Sequence, residues 1–252
     1  PPAPRRIHCG YHKCLTMCFP ALFETAFTGL RPGGGSFRHF FHWIDRFEAH
    51  GHEYTVSSIS GHALDLDRYG DVRVSRIVRD PRDLVVSGYW YHRRSGEGWC
   101  DVENPTWANL EQIGGVAPAA LPRHTSLAAY LRGVSVEEGL LAELDFRRLH
   151  FASMMQWPDA DPRVLVLRYE EVVGDEVAAI DRLMRFFELS PWLRLRARYF
   201  AAKYSARRRC GRAPHIRDPR AGQRREPFPD AERRRVDALS PGPVETLGYP
   251  AR

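Results

Sequence analysis

The segment HCGYHKCLTMCF, residues 8–19, decides the fold of this chain. A short strand-like piece precedes it, and apolar residues at the spacing of one helix face follow: Phe19, Leu22, Phe23, Ala26 and Phe27. A strand, a tight turn with Gly and Lys, and a helix N-terminus form a cradle for phosphate, because the N–H groups of the first turn and the helix dipole attract an anion. Lys13 adds a positive charge, and Thr16 can place a hydroxyl on the same anion. The segment therefore predicts an α/β fold with a phosphate site.

Residues 76–92, RIVRDPRDLVVSGYWYH, predict a second anion site. The segment reads as a buried strand that ends at Arg79, with Asp80 as the N-cap of a helix and Pro81 at its first position. Arg79 then lies at the carboxyl end of a strand, where open α/β sheets bind their ligands. Ser87 follows two helical turns later. An Arg fork with a nearby hydroxyl suits a second phosphate group.

These two segments resemble motifs of the sulfotransferase family that uses 3′-phosphoadenosine 5′-phosphosulfate (PAPS) as its sulfate donor. The loop from residue 12 to residue 16 is similar to the family's 5′-phosphosulfate loop. Residues 79–87, RDPRDLVVS, are similar to its 3′-phosphate motif, with the Arg-to-Ser spacing intact. The resemblance implies that Arg79 and Ser87 hold the 3′-phosphate. It also implies that the donor contacts the following loop residues: His12, Lys13, Cys14, Leu15, Thr16 and Met17.

A third segment, residues 217–228, resembles the Gly-rich basic loop that closes over the 3′-phosphate in the same family. Gly222, Arg225 and Phe228 keep the family spacing. Three positions depart from the pattern, where Lys, Gly and Trp are usual: Asp218, Pro219 and Arg224. The resemblance implies that Arg217, Gly222 and Arg225 bind the donor.

A general base is predicted after the β-rich residues 54–60. His62 lies just beyond the carboxyl end of this strand, so it is expected to point into the cleft where the other strand ends hold phosphate. In the sulfotransferases that the chain resembles, a His after the strand preceding the Arg-Asp-Pro strand is the general base, and His62 is the nearest match. An ordinary His pKa near 6.5 suits this role. His39 and His42 are alternative candidates for the general base. The competing interpretation of His62 is an ordinary residue of a surface loop without a catalytic role.

The resemblance implies in-line sulfuryl transfer from PAPS to a hydroxyl, or alternatively an amine, of a small-molecule or carbohydrate acceptor. The released nucleotide is 3′-phosphoadenosine 5′-phosphate (PAP). Negative charge grows on the leaving 5′-phosphate, and Lys13 is expected to stabilise it. We expect no metal, because a sulfuryl group carries less negative charge than a phosphoryl group. The spacing of Cys9, Cys14 and Cys18 with the nearby His residues also matches no usual zinc pattern.

Strands alternate with helices along the chain, which is typical of a three-layer α/β/α domain with a mainly parallel sheet. The prediction is a single domain over residues 1–252 with a P-loop-like phosphosulfate loop. Residues 93–124 contain several Gly, Pro and Trp, lack periodicity and exceed an ordinary connection in length, so we expect an acceptor-binding lid there. Residues 37–43, rich in Phe and His, are expected to form a core-facing helix.

The composition limits the other possibilities. The 252 residues carry a net charge of +6, which favours a polyanionic ligand. No apolar run has membrane-spanning length, and five cysteines without a disulfide pattern favour a reduced, cytoplasmic compartment. A P-loop-type kinase is one alternative, but the second Gly and the Gly-Lys-Ser/Thr ending of a Walker A loop are absent. A basic nucleic-acid-binding domain is the other, but no recognition motif is visible. We expect neither a nucleic acid nor a membrane as partner.

Overall fold

The computed structural model describes residues 4–29, 34–94, 97–203, 205 and 241–250. The chain divides into two compact units. Unit 1 comprises Pro1–Val78 and Trp157–Ala221, and unit 2 comprises Arg79–Gln156 and Gly222–Arg252. The first part of unit 2 is therefore inserted, in sequence, between the two parts of unit 1. The expectation of one domain over the whole chain remains a prediction.

Unit 1 is built on a five-stranded sheet. Its strands are β1 (Arg5–Gly10), β2 (Phe37–His39), β3 (Val56–Ser60), β4 (Val72–Val78) and β5 (Val164–Arg168). The strand order is β2-β3-β1-β4-β5, and every neighbouring pair is parallel. In the central strand β1, Ile7 pairs with Ser57 of β3 and with Val74 of β4. This sheet confirms the predicted α/β class with a mainly parallel sheet.

Eleven α-helices lie within the described ranges. In chain order they are α1 (Cys18–Phe27), α2 (Ile44–His50), α3 (Pro81–Arg94), α4 (Trp107–Leu110), α5 (Leu127–Gly133), α6 (Val136–Phe146), α7 (Arg148–Met155), α8 (Tyr169–Val172), α9 (Glu176–Phe186), α10 (Pro191–Lys203) and α11 (Pro241–Thr246). Short 3₁₀ turns occupy Gly51–Glu53, Leu66–Tyr69, Gly98–Asp101 and Glu111–Ile113. Helices α1, α2, α8, α9 and α10 belong to unit 1, and the others belong to unit 2.

Both faces of the sheet in unit 1 are covered, because side chains alternate along each strand. On one face, Ile7 and Cys9 join a buried apolar cluster that includes Phe47 of α2. On the other face, His8 stacks on Phe19 of α1, with 4.5 Å between the ring centroids. Helix α1 buries the apolar face predicted from its spacing: Phe19, Leu22, Phe23, Ala26 and Phe27. Helix α10 packs against α1 and α9.

Unit 2 is helical where it is described, and α3 is its central helix. It packs against α5 and α6, and α11 contacts both α3 and α7. Helix α6 approaches α3 closely because Gly139 has no side chain, so that a Cβ there would overlap with the ring of Tyr89. Nine residues of α3 are buried: Pro81, Arg82, Asp83, Leu84, Val85, Val86, Gly88, Tyr89 and His92.

The structure differs from the sequence expectations in two places. Residues 37–39 form strand β2 rather than a helix, since Phe37 and His39 pair with Val56 and Ser58 of β3. Within residues 93–124, the structure places α4 and two 3₁₀ turns. A lid at these residues stays a prediction.

Candidate active site

The loop that connects β1 to α1 is folded around the carbonyl oxygen of Tyr11. This oxygen accepts hydrogen bonds from the backbone N–H of Cys14 (2.8 Å) and from the hydroxyl of Thr16 (2.5 Å). The backbone is left-handed at Lys13 (φ 69°) and at Leu15 (φ 56°), and it returns to the right-handed region at Met17. Left-handed backbone is unfavourable for residues with a side chain, so the surrounding contacts must hold this loop in shape.

Three consecutive N–H groups of this loop are available to a ligand. Within the part of the chain that the structure describes, the backbone N–H groups of Leu15, Thr16 and Met17 donate to no protein acceptor. Helix α1 starts immediately afterwards, without a side-chain cap and without an acidic residue in its first turn. Successive N–H groups in alternating left- and right-handed backbone form an anion-binding concavity, and the helix dipole strengthens it. The loop therefore fits a phosphate or sulfate group.

The carboxyl ends of β1, β2 and β3 meet at the same edge of the sheet. The N–H of Gly61, just after β3, donates to the carbonyl oxygen of Gly10 at the end of β1 (2.8 Å). The N–H of Ser60 donates to the carbonyl oxygen of Phe41, two residues beyond β2 (2.7 Å). Gly61 is needed here, because its φ is +81° and a Cβ would come within 2.7 Å of Nδ1 of His42. His62 therefore lies at the edge of the sheet from which the phosphate-type loop begins.

The three candidate bases differ in their surroundings. Nε2 of half-buried His62 donates to the carbonyl oxygen of His42 (3.0 Å), which leaves Nδ1 as the proton-accepting nitrogen. Burial, together with the nearby His62 and His39, lowers the pKa of His42 to about 3. Burial also lowers the pKa of His39 to about 4, while its Nδ1 lies 2.7 Å from the hydroxyl of Ser58. His39 and His42 are therefore neutral at pH 7.

The Arg-Asp-Pro segment begins unit 2. Arg79, 2 % exposed, directly follows β4. Asp80 caps α3, since its carboxylate accepts the N–H of Arg82 (3.0 Å), together with the Arg82 Nε (2.9 Å) and Nη2 (2.8 Å). Nη2 of Arg82 also donates to the carbonyl oxygen of Pro250 (2.9 Å). Of the two arginines in the motif, Arg82 is thus engaged by Asp80 and the backbone, and half-buried Ser87 lies further along α3.

A fully buried charged cluster lies against Gly88, the residue that follows Ser87. Oε1 of Glu143 accepts from Nε of Arg147 (2.6 Å), and Oε2 accepts from Nδ1 of His92 (2.6 Å). All three side chains are 0 % exposed. A Cβ at Gly88 would overlap with Glu143 and Arg147, so this cluster holds α3 and α6 at their observed separation.

Two structural features near the predicted sites were not identified from the sequence. Arg76 in β4 is completely buried, and Trp157 donates to the hydroxyl of Tyr11. A charged residue within the apolar run of β4 was the one available signal for Arg76. Phe41, predicted as core, is 49 % exposed with a left-handed φ of 52°.

The remaining sequence predictions concern the third donor-binding segment, a metal and a membrane. Arg217, Gly222 and Arg225 lie outside the described residues. Among the described residues, no group of three or more His, Cys, Asp or Glu side chains is arranged to hold a metal ion. Within those same ranges, no helix combines the length and the apolar character that crossing a membrane requires.

Comparison with known proteins adds independent support for the fold. The chain resembles the crystal structure of mouse sulfotransferase SULT7A1 complexed with PAP, with a TM-score of 0.55 and 17 % identity over 97 % of this chain and 84 % of that one. It also resembles the crystal structure of retinol dehydratase in a complex with retinol and PAP, with a TM-score of 0.55 and 13 % identity over 99 % of this chain and 84 % of that one. These likenesses show the fold. No curated protein sequence matches the chain significantly.

A family comparison goes further than the fold. The model of the sulfotransferase domain family matches residues 69–205, which is more than half of the 252-residue chain. The match begins before the Arg-Asp-Pro segment and continues beyond β5 into α10. As the two phosphate motifs predicted, this chain belongs to the sulfotransferase domain family.

Proposed function

We propose that this protein transfers a sulfuryl group from PAPS to a hydroxyl group of a small-molecule or carbohydrate acceptor and releases PAP. The proposal rests mainly on the loop before α1, where the N–H groups of Leu15, Thr16 and Met17 have no acceptor among the described residues of the protein. Membership of the sulfotransferase domain family supports the reaction class. The two similar crystal structures both contain PAP, which supports the choice of donor.

The loop would hold the 5′-phosphosulfate end of the donor. The residues assigned to this contact are His12, Lys13, Cys14, Leu15, Thr16 and Met17. When bound, PAPS supplies an activated sulfuryl group, whose bond to the 5′-phosphate oxygen breaks as the acceptor oxygen bonds to sulfur. Lys13 and the N-terminus of α1 would stabilise the negative charge left on that phosphate. The hydroxyl of Thr16 donates to Tyr11, so its main effect would be on the shape of the loop.

Arg79 and Ser87 would hold the 3′-phosphate, and the family resemblance adds Arg217, Gly222 and Arg225. A guanidinium matches the geometry of a phosphate through paired N–H donors. Arg79 is almost completely buried, and a phosphate would reduce the cost of keeping its charge away from water. Arg82 is bound to Asp80 and to the carbonyl of Pro250, and it would hold the start of α3 in place.

His62 would act as the general base. Its Nδ1 would accept the proton of the acceptor hydroxyl, while the carbonyl of His42 holds the ring in the tautomer with a proton on Nε2. Of the three histidines, His39 and His42 have pKa values that burial lowers to about 4 and about 3, which makes them weak bases. The hydrogen bond from Nε2 to the carbonyl of His42, which leaves Nδ1 to accept a proton, favours His62.

Phe41 would contact the acceptor. Its ring is half exposed, and the carbonyl of Phe41 is bonded to Ser60, two residues before His62. A left-handed backbone at a bulky residue is uncommon and occurs most often at functional sites. Because the neighbouring His39 and His42 are neutral, this edge of the sheet suits an uncharged acceptor with an apolar face beside its hydroxyl.

Isothermal titration calorimetry with PAP, 5′-AMP and ATP tests the donor assignment. We expect PAP to bind more tightly than 5′-AMP, because only PAP carries the 3′-phosphate. Arg79→Ala should weaken PAP binding by about 2–5 kcal/mol, the usual effect of truncating one partner of a buried charge pair. Arg94→Ala, an exposed arginine at the end of the same helix, is the matched control. Equal affinity for PAP and 5′-AMP would contradict the sulfotransferase assignment, and a clear preference for ATP would support a kinase.

Lys13→Ala tests catalysis separately from binding. Because Lys13 is assigned to charge that grows during the reaction, turnover should fall more than the affinity for PAP. Equal losses in both quantities would mean that Lys13 only binds the donor.

A further inference from the structure

Arg76 is a buried cation in the middle of the sheet. It lies in β4 between Cys9 of β1 and Val166 of β5, and its side chain is 0 % exposed. Its Nε lies 3.1 Å from Oδ1 of Asp159, whose side chain is 40 % exposed. An aliphatic residue would continue the apolar pattern of the strand without the desolvation cost of a buried charge. The presence of Arg at this position therefore needs an explanation beyond packing.

A continuous chain of contacts leads from Arg76 to the loop before α1. The guanidinium lies over the ring of Trp157, with 5.5 Å from its central carbon to the ring centroid, which is within the range of a cation–π interaction. Nε1 of Trp157 donates to the hydroxyl of Tyr11 (2.8 Å). Tyr11 is 0 % exposed, and its carbonyl oxygen is the acceptor around which the loop folds. Each step joins residues of unit 1.

The charges around Arg76 are consistent with a fixed cation at this position. Burial lowers the pKa of its guanidinium, and Asp159, Tyr11, Cys9 and Cys14 act in the opposite direction. Burial raises the pKa of Asp159, and Arg76 is the main opposing influence. Cys14 belongs to the loop itself, so the charge of Arg76 interacts with a residue assigned to the phosphosulfate.

We propose that Arg76, Trp157 and Tyr11 are positioning residues that hold the phosphosulfate loop in its anion-binding shape, an inference that rests on the proposed function. The guanidinium fixes the indole ring, the indole N–H fixes the phenol, and the buried Tyr11 fixes the carbonyl that closes the loop. The left-handed backbone at Lys13 and Leu15 persists because this arrangement holds it there. The three side chains act on the 5′-phosphate end of the nucleotide and leave the 3′-phosphate end unaffected.

Calorimetry with PAP and its two single-phosphate relatives, 5′-AMP and 3′-AMP, separates positioning from general damage. Tyr11→Phe removes only the hydroxyl, and Trp157→Phe keeps an aromatic ring but removes the N–H donor. Loss of one hydrogen bond of about 1 kcal/mol corresponds to roughly a fivefold change. We expect both variants to bind PAP and 5′-AMP about fivefold more weakly and 3′-AMP with nearly unchanged affinity.

Arg76→Met and Arg76→Lys test the cation itself. The Met variant should show the same pattern as Tyr11→Phe, while the Lys variant, which keeps the charge, should recover part of the loss. Arg73→Met is the matched control, because Arg73 is on the same strand but binds Phe186 and Glu188. It should leave the affinity for all three nucleotides unchanged.

The outcomes are distinct. Unchanged affinity for PAP and 5′-AMP in Tyr11→Phe and Trp157→Phe would overturn the inference, even if Arg76→Met does not fold. Equal weakening for all three nucleotides would also overturn it, since that result indicates general structural damage. If the wild-type protein binds none of the three nucleotides, the proposed function itself fails, and the positioning role fails with it.

Discussion

Three of the described histidines are almost completely buried, His8, His92 and His150, and two of them, His8 in unit 1 and His92 in unit 2, are held in different ways. His8 in unit 1 is 2 % exposed, stacks on Phe19, and has its Nδ1 2.9 Å from the hydroxyl of Ser75. His92 in unit 2 is 0 % exposed, and its Nδ1 donates to the carboxylate of Glu143. Burial lowers the pKa of His8 to about 3, because a hydroxyl partner cannot compensate for the loss of water around a charge.

This comparison shows that the partner of a buried polar group determines which change, in pH or in sequence, destabilises the surrounding interior. Folded His8 carries no charge at pH 7, so a decrease in pH is the change that destabilises its surroundings. Unit 2 contains the buried carboxylate of Glu143, which needs donors from both His92 and Arg147. Removal of one of these three side chains should destabilise unit 2, because the remaining polar and charged groups would stay buried without a partner.

The largest effect is expected for Glu143→Gln, which keeps the shape of the side chain but removes its charge. The free energy of unfolding should fall by about 3–5 kcal/mol, because Arg147 loses its buried carboxylate partner. Urea unfolding measures this change. Arg148→Ala is the control, since the exposed pair that Arg148 forms with Asp145 should contribute less than about 1 kcal/mol. A loss of under about 1 kcal/mol in Glu143→Gln would mean that the cluster is not a stabilising feature.

Gly88→Ala should have the next largest effect. The added Cβ would overlap with Glu143 and Arg147, and the surrounding α3 and α6 must shift to accommodate it. We expect a loss of about 1–3 kcal/mol in the free energy of unfolding, as for other overpacked interiors. Gly133→Ala is the matched control, because a Cβ at Gly133 would meet open space. Similar stability in the two variants would contradict the close contact at Gly88.

The dependence of the unfolding free energy on pH tests the role of His8 in unit 1. Between pH 6.5 and about 3, unfolded His8 binds a proton that folded His8 cannot, so stability falls as the pH decreases. The contribution of His8 should approach about 1.4 kcal/mol per pH unit in this window and vanish above it. His8→Asn should therefore flatten the dependence of the unfolding free energy on pH, while His50→Asn at an exposed position should not. Parallel curves for His8→Asn and the wild type would contradict a buried neutral imidazole.

The smallest effect is expected for Leu15→Gly in the phosphosulfate loop. Gly accepts the left-handed backbone without strain, so the free energy of unfolding should rise by up to about 1 kcal/mol. Affinity for PAP should fall at the same time, because the free loop becomes less rigid. Met17→Gly is the control, since Met17 is right-handed and should lose stability. An increase in both stability and affinity would show that the loop is not strained for binding.

The sequence predicts those parts of the fold whose cause is local. Helix α1 follows from an apolar pattern, and α3 follows from Asp80 and Pro81 at its start. Strand β2 was predicted wrongly as a helix, because Phe37, Phe40 and Phe41 also fit a helical spacing. Its strand conformation depends on pairing with β3. Short apolar runs of this kind are decided by tertiary contacts.

The same division applies to the candidate site. Lys13 and Arg79 could be identified because a phosphate motif is a short segment with a fixed spacing. Arg76, Trp157 and Glu143 could not, since the role of each depends on at least one residue distant in the chain: Asp159, Tyr11 and His92, respectively. Single-sequence patterns contain no information about which distant residues meet. His62 was identified from its place after a strand, and its tautomer follows only from the contact with His42.

The insertion of residues 79–156 between the two sequence segments of unit 1 affects how the protein emerges from the ribosome. Strand β4 lies between β1 and β5 in the sheet, but β5 is synthesised only after the whole inserted part of unit 2. At a translation rate of about 5–20 residues per second, the edge of β4 that pairs with β5 stays unpaired for roughly 4–16 s. During that time an unpaired apolar strand is open to association with other chains. We therefore expect chaperone binding to the nascent chain to peak during translation of residues 79–156.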